Sequence, residues 1–585
     1  MRKQTKIVAV ASAAALLAIG GAMTSFAAQG WVEEDGTWYY YDKDGNRVED
    51  EWRKSGNNWF WLSADENGAM ATDALIEDDD DTYYVDGNGV MVTNTWVKVV
   101  NEDQDDDDPA EYNYYYMQAS GKAYKAPDSA ITTRFRTIDG KRYAFDDDGK
   151  MLWGWVDGNG DRLTDEDDWA TSGVYYLGSW EDGAMKTGWQ KINVHDANED
   201  DDMDYWFWFK SNGKKEAAGT SDKVKEKKIN GKKYGFDDRG VMTYLWTIAT
   251  NSSTNGASAS DWKYFNSPED GARVTKGWFK VVAPDEDNDN VFSNTYGHTT
   301  FADKDAGDET ERWYYADNNG ELAEGVIKKI KGKYYGFRPA SASENKAAAM
   351  LTGLVLMKTQ GEKIIDVLDD DVDADELDDI LDGTTTVPAG YTLFYFGNDE
   401  DTDGAMKTGN TTVNLSGASY NFLFSKTGGA EGKGRGATGI DNKYIYMYGC
   451  RIKADSDDKY QVVQVVPASG TAVDTSATGV TVTKIKSVDL RNSASFDSFV
   501  NDKDESVEIK KLINNKYYLV NTSGAIQKSK VAAKDGDDWY FYVKNNEVKL
   551  YTNNKNLDDR STPATEKWDS VRFLTGNELS ASNPD

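Results

Sequence analysis

The chain has 585 residues, and its 66 Lys and Arg against 101 Asp and Glu leave a formal charge of −35. Such a balance argues against nucleic acid as a partner, because phosphate binding needs a cationic face; it would also repel bare anionic polymers, so a surface ligand should offer a cation or a neutral sugar. With 34 Tyr, 19 Trp and 53 Gly but only 9 Pro, the chain is expected to bury aromatic faces between many short strands and turns, not to build one large aliphatic core.

Residues 1–27 read as a secretory signal peptide. Arg2, Lys3 and Lys6 precede an apolar run from Ile7 to Ile19, and Ser25-Phe26-Ala27 suits cleavage after Ala27. No later segment is apolar enough to span a bilayer, and the polar stretch Leu574 to Asp585 carries no LPxTG motif. The expectation is an extracellular protein held at the envelope by non-covalent binding.

Residues 28–125 open with two plain repeats, GWVEEDGTWYYYDKDGNRVED from Gly30 and EWRKSGNNWFWLSADENGAMATD from Glu51. Trp38-Tyr39-Tyr40-Tyr41 and Trp59-Phe60-Trp61 favour extended chain, and Asp44-Gly45-Asn46 and Glu66-Asn67-Gly68 supply turn residues that tolerate positive φ. Each unit is therefore a β-hairpin, and since one hairpin cannot bury its own rings, neighbours must stack. Alternation puts Trp38 with Tyr40, and Trp59 with Trp61, on one strand face.

Residues 126–438 carry larger, degenerate repeats. IDGKRYAFDDDGKM at Ile138 returns as INGKKYGFDDRGVM at Ile229 and IKGKYYGF at Ile330; between them, DGAMKTGW at Asp182 returns as DGARVTKGW at Asp270 and DGAMKTGN at Asp403. Three hairpins thus compose one larger unit. Acidic inserts at Asn101 to Asp108, Asp196 to Asp204 and Asp285 to Asn290 read as solvated loops, and Glu362 to Asp382 reads as the one helix. Residues 439–585 form a diverged C-terminal β region, with Lys516-Tyr517-Tyr518 and Trp539-Tyr540-Phe541-Tyr542 as strands. The single cysteine, Cys450, excludes internal disulfides and reads as a packing residue. The fold class expected is all-β: tandem hairpin repeats stacked as an elongated solenoid with acidic loop inserts.

These units resemble the cell-wall-binding, or choline-binding, repeats of Gram-positive surface proteins, a class that includes glucan-binding repeats of secreted glucosyltransferases. The resemblance is strong from Gly30 to Asn94 and intermittent from Ile138 to Gly428. It implies ligand sites between consecutive hairpins, with a quaternary ammonium held against ring faces. Carried onto this sequence, the cage residues are Trp31, Trp38, Tyr40, Trp52, Trp59, Trp61 and Met70. Trp189, Trp206, Trp208, Trp278, Trp313 and Tyr315 match the pattern less fully. The implied partner is a cell-wall polymer, either choline-bearing teichoic acid or glycan.

Catalytic chemistry is hard to assemble. The two histidines, His195 and His298, make no metal pair, and no Ser/His/Asp or Cys/His set can be drawn. Asp157, Asn159, Asp161, Asp165 and Asp168 occupy positions 1, 3, 5, 9 and 12 of an EF-hand-like loop, but Arg162 stands where glycine is required. No cofactor is expected, and weak calcium binding is the most that this spacing implies. The function expected is that of a non-catalytic surface protein retained by its aromatic repeats. The alternatives are a secreted glucan- or carbohydrate-binding protein and, from another class, a secreted enzyme with a small C-terminal active site.

Overall fold

The computed structural model describes residues 29–555 except 106–107, 128–131, 198, 220–222, 250–257, 285–290, 293–309, 341–345, 400, 428–431, 467–479, 493–496, 502–503, 509–515 and 554. The expected signal segment, the insert at 285–290 and His298 lie outside the described residues. What is described is almost wholly β, with three short α-helices at Asp168–Thr171, Ala374–Asp382 and Ser487–Asn492 and one 3-10 turn at Ala259–Asp261. The chain divides into two compact units, the first Met1–Thr243 with Ser267–Ala272 and the second Tyr244–Asn266 with Arg273–Asp585.

Local turn chemistry explains the hairpins. Asp35-Gly36, Asp139-Gly140, Asn230-Gly231 and Lys331-Gly332 each pair a φ near +50° with a glycine φ of +81° to +89°. That combination is the type I′ turn whose twist matches the strands it joins. The next turn in each repeat is closed by an aspartate: Asp42 Oδ1 accepts from the backbone N–H of Asp44 and Asn46, both at 2.8 Å. Asp86 and Asp317 act likewise on Asn88 and Val90 and on Asn319 and Glu321. Such side-chain bonds to the backbone two to four residues on replace a ladder bond and bend the chain back.

Within each unit, one backbone hydrogen bond ties a hairpin to the next. In the first unit Met91 N–H donates to the Trp59 carbonyl (2.8 Å), Met151 to Tyr114 (2.7 Å) and Met242 to Trp206 (2.8 Å). In the second, Met350 donates to Trp313 and Met406 to Tyr334, both at 2.8 Å. In the first unit most hairpins are two-stranded sheets of their own. Their cohesion therefore depends on side chains packed between them rather than on a continuous ladder.

Three expectations are corrected. Asp196 to Asp204 is not a loop: it forms the ends of two nine-residue strands, Gly188–Asp196 and Asp201–Phe209, paired to the tip. Asp196 is held there because its buried carboxylate takes the Tyr205 hydroxyl at 2.6 Å and the Arg239 guanidinium at 2.7 Å. Glu362 to Asp382 is not one helix, since Lys363–Asp369 is a strand and only Ala374–Asp382 is helical. The helix begins at a capping box between Asp373 and Glu376 and ends at Gly383, φ +76°. Finally, the second unit does hold a larger aliphatic core, in which Leu354, Leu377, Leu393, Phe422, Ile445 and Val463 are buried together. Cys450 belongs to this cluster, and burial pushes its thiol up to about 12, so it serves packing.

Candidate functional site

Three seams between hairpins are each built on one tryptophan. In the first unit Trp52 lies edge-on to Trp61 of its own hairpin (5.3 Å) and to Tyr83 of the next (5.1 Å). Trp189 repeats this with Trp208 (5.3 Å) and Tyr234 (4.8 Å). In the second unit Trp278 does so with Tyr315 (5.3 Å) and Tyr335 (4.9 Å). The strand register makes this geometry recur, since Trp52 faces Trp61, Trp189 faces Trp208 and Trp278 faces Tyr315 across their pairs. Edge-to-face pairs of this kind contribute about 0.5–1.5 kcal/mol each beyond area burial.

The first aromatic of each triplet completes an open-sided cage. Trp206 stands 6.2 Å from Trp189 at 89°, and Trp313 stands 6.2 Å from Trp278 at 86°. Across the strand pair from Trp59, Trp206 and Trp313 stand Lys54, Lys191 and Lys280. A carboxylate borders each cage. The Trp52 indole N–H donates to Asp78 Oδ2 at 3.1 Å. Glu269 accepts from the Trp206 indole (3.1 Å) and from Lys191 (3.0 Å). Asp401 accepts from the Trp313 indole (2.8 Å) and from Lys280 (3.0 Å). The bond from Lys191, then that from Trp206, holds the Glu269 carboxyl below its ordinary range, and Trp313, then Lys280, does the same for Asp401. Both carboxylates are therefore ionised at neutral pH beside half-buried ring faces. Such a site suits a cation with little charge density, which rings and carboxylate attract together.

The structure brings some expected cage residues together and separates others. Trp31 meets Tyr40 at 5.4 Å and Phe60 at 5.2 Å. Tyr40 also faces Arg53, whose guanidinium is 5.4 Å from its centroid. Trp38 lies on the same face as Trp31 and Tyr40, two residues further along and opposite Glu33. Trp59 is 39% exposed and Trp61 is buried, so the two residues of one strand face divide into mouth and floor. Met70 packs toward the turn at Gly89, while Met91, Met242 and Met350 are bonded to the first aromatics of their cages. Sequence reasoning missed Phe60, Tyr83, Tyr234 and Tyr335, and the carboxylates Asp78, Glu269 and Asp401. Tyr234 and Tyr335 sit in the recurring Gly-Lys-x-Tyr strands and were legible as a repeat, whereas Tyr83 follows Asp80-Asp81-Thr82; Glu269 and Asp401 come from turns and Asp78 from a strand end, with no fixed spacing.

One seam is filled from within. Trp155 meets Tyr176 at 5.1 Å and Phe207 at 5.2 Å, and the Lys215 ammonium lies 5.1 Å from its ring and 5.8 Å from that of Trp169. Lys215 also donates to the Trp169 carbonyl at 2.8 Å. Burial pushes this ammonium down to about 8.

The EF-hand-like set does not gather. Asp157 Oδ1 accepts the backbone N–H of Asn159, Gly160 and Asp161, which makes it a turn residue, and Asp168 begins a short helix. Among the described residues the carboxylates close enough to share an ion are Asp146, Asp147 and Asp148, neither Asp161 nor Asp165 being among them.

A family model described as "Putative cell wall binding repeat" matches residues 29–46, 50–70, 74–91, 133–151 and 311–322. No curated protein matches the chain. Among solved structures, the modular autolysin LytC of Streptococcus pneumoniae is 17% identical with a TM-score of 0.28, over 57% of this chain and 55% of that one. This chain thus spans about half the length of LytC. The choline-binding domain of CbpL from the same organism is 22% identical with a TM-score of 0.25, over 43% of this chain and 100% of that one. CbpJ of the same organism is 14% identical with a TM-score of 0.29, over 68% and 98%.

Proposed function

We propose, from the five stretches that match the cell wall binding repeat, that the chain is a non-catalytic, exported protein held at the cell envelope by quaternary ammonium groups of a wall polymer. The observation that carries this reading is the recurrence of one cage, Trp189, Trp206 and Tyr234 with Glu269, and Trp278, Trp313 and Tyr335 with Asp401. The same element is thus built twice from different stretches of sequence, and each time an ionised carboxylate borders the rings. A neutral glycan would use the rings but has no need of the carboxylate.

The test is competition on a quaternary-amine resin. Free choline should release the protein at concentrations where sodium chloride of equal ionic strength does not; that control removes simple charge attraction by a chain of −35. Release by salt alone, with retention on dextran or wall glycan that choline leaves untouched, would favour the glycan reading instead. For non-catalysis, the purified chain should leave peptidoglycan and α-glucan uncleaved, and release of reducing ends would overturn it.

A further inference from the structure

The place of the seam tryptophan is taken by a shorter side chain at Leu75 and, in the second unit, at Asn410. Gly188-Trp189 and Gly277-Trp278 correspond to Gly409-Asn410, at the start of the hairpin Gly409–Leu415 and Ala418–Phe424. The register is the same: Gly188 faces Phe209 and Gly409 faces Phe424, so Asn410 stands opposite Leu423 where Trp189 stands opposite Trp208. In the following hairpin, Gly439–Asp441 with Tyr444–Met447, the second strand brings Tyr446 to the third position, the place of Tyr234 and Tyr335. With a short amide in place of an indole, the seam opens into a cavity of about 570 Å³, within the roughly 300–1,000 Å³ range of small-ligand sites.

The lining has a character unlike that of the cages. Lys443, Arg451 and Lys528 reach the cavity, with Asp441 as its single carboxylate. Arg451 lies 4.5 Å and Lys443 5.2 Å from the Tyr444 ring centroid. Lys191 and Lys280 are each paired with a carboxylate at the cages, whereas none of these three cations forms an ion pair with a described residue. Asn442 already donates to Asp441 at 3.1 Å. Three cations converging on a cavity in a chain of −35 make a local field of opposite sign to the whole molecule. Asn410 and Asn421 add amide donors and acceptors, and Tyr444 a half-buried ring.

We propose that this cavity is a separate site for an anionic saccharide, a sugar carrying a carboxylate or a phosphate. The asparagine amides would bond sugar hydroxyls, and the three cations would hold the acidic group. The proposal is independent of choline binding, which uses other seams.

Calorimetric titration of the mature full-length chain tests it, with N-acetylmuramic acid as the carboxylate probe, glucose 6-phosphate as the phosphate probe and N-acetylglucosamine as the neutral control. One acidic probe should bind at one site about ten-fold or more tighter than the neutral sugar, and which one does so identifies the source of the charge. Asn410→Trp should refill the seam and abolish this binding while leaving choline-dependent elution unchanged. Lys443→Gln with Lys528→Gln, two exposed side chains whose loss spares the core, should weaken it about ten-fold, and this pair decides the matter should Asn410→Trp fail to fold. Acidic probes that bind no tighter than N-acetylglucosamine, or affinity unchanged in the double variant, would overturn the proposal.

Discussion

Lys215 shows how far a single side chain can alter a repeat. Its ammonium lies over Trp155 and Trp169, the kind of place that a cationic ligand would take at the neighbouring seams. Burial holds its pKa near 8 rather than at its ordinary 10.5. The sign follows from proton counting: between about pH 8 and 10.5 the unfolded chain keeps a proton that the folded chain has released, so this group makes stability rise with pH over that window. Melting temperatures measured from pH 8 to 10 should therefore climb more steeply for the natural chain than for Lys215→Met, which lacks the group. From pH 10 upward the buried tyrosines act the other way, since burial raises Tyr542 to about 12 and the unfolded chain ionises first.

At the cages the expected effects are modest and specific. Trp206→Ala and Trp313→Ala should each weaken choline binding by about 2- to 30-fold at the altered site, the range spanned by cation–π contacts of roughly 0.5–2 kcal/mol. Calorimetry on each variant checks this. Because Glu269 and Asp401 are held below their ordinary 4.5 and 3.8, affinity should stay level from pH 7 to about 5 and fall only in stronger acid. Glu269→Gln should remove that acid limb at its own site.

Taken as elements, the hairpins were legible and their contacts only partly so. Asp35-Gly36 and Asn230-Gly231 announce their turns because few other residue pairs accept two positive φ values in succession. The pairing of Trp52 with Trp61 follows from a period of two once the turn is placed. The partner from the following hairpin, Tyr83 or Tyr234, depends on how hairpins stack, and no local rule sets that. Lys363–Asp369 misled for a related reason: Ile364, Ile365 and Leu368 fit a helical face, and pairing with Leu354–Gln360 overrode it. The calcium spacing failed because Asp157 uses its carboxylate on its own backbone.

Seam tryptophans should matter more than mouth tryptophans. Trp189→Ala should cost about 3–5 kcal/mol, the range for removing a large packed ring, whereas Trp59→Ala, at a residue 39% exposed, should cost well under half of that. Denaturant midpoints of the two variants give the comparison. Gly436 imposes a constraint of another kind, since a Cβ there would sit 2.2 Å from the Tyr448 carbonyl oxygen. Gly436→Ala must displace backbone in the second unit.

At the scale of the whole molecule, repetition and departure from it are both informative. Two compact units share one seam geometry, yet the second holds an aliphatic cluster that the aromatic-rich composition concealed. Val463 and Val465 sit in strands without the aromatic triplet, which is why the C-terminal region looked like eroded repeats. The excess of acid is a property of the surface: the seams themselves are aromatic, and the cation-lined cavity beside Asn410 is set against it.

The sharing of Trp189 between two hairpins gives the stack a direction. Its ring belongs by sequence to the strand Gly188–Asp196 but is covered by Tyr234 and Phe236 of the hairpin that follows. A chain severed between Phe209 and Lys225 would therefore yield one piece ending in an uncovered wedge and another beginning with an empty socket. The two ends are cohesive in the sense that each exposes what the other buries, down to the Met242 N–H and the Trp206 carbonyl that would rejoin at 2.8 Å. Mixed in solution, the pieces should reassociate one to one, seen as a blue shift of tryptophan emission and a single sedimenting species, and Trp189→Ala in the first piece should prevent it.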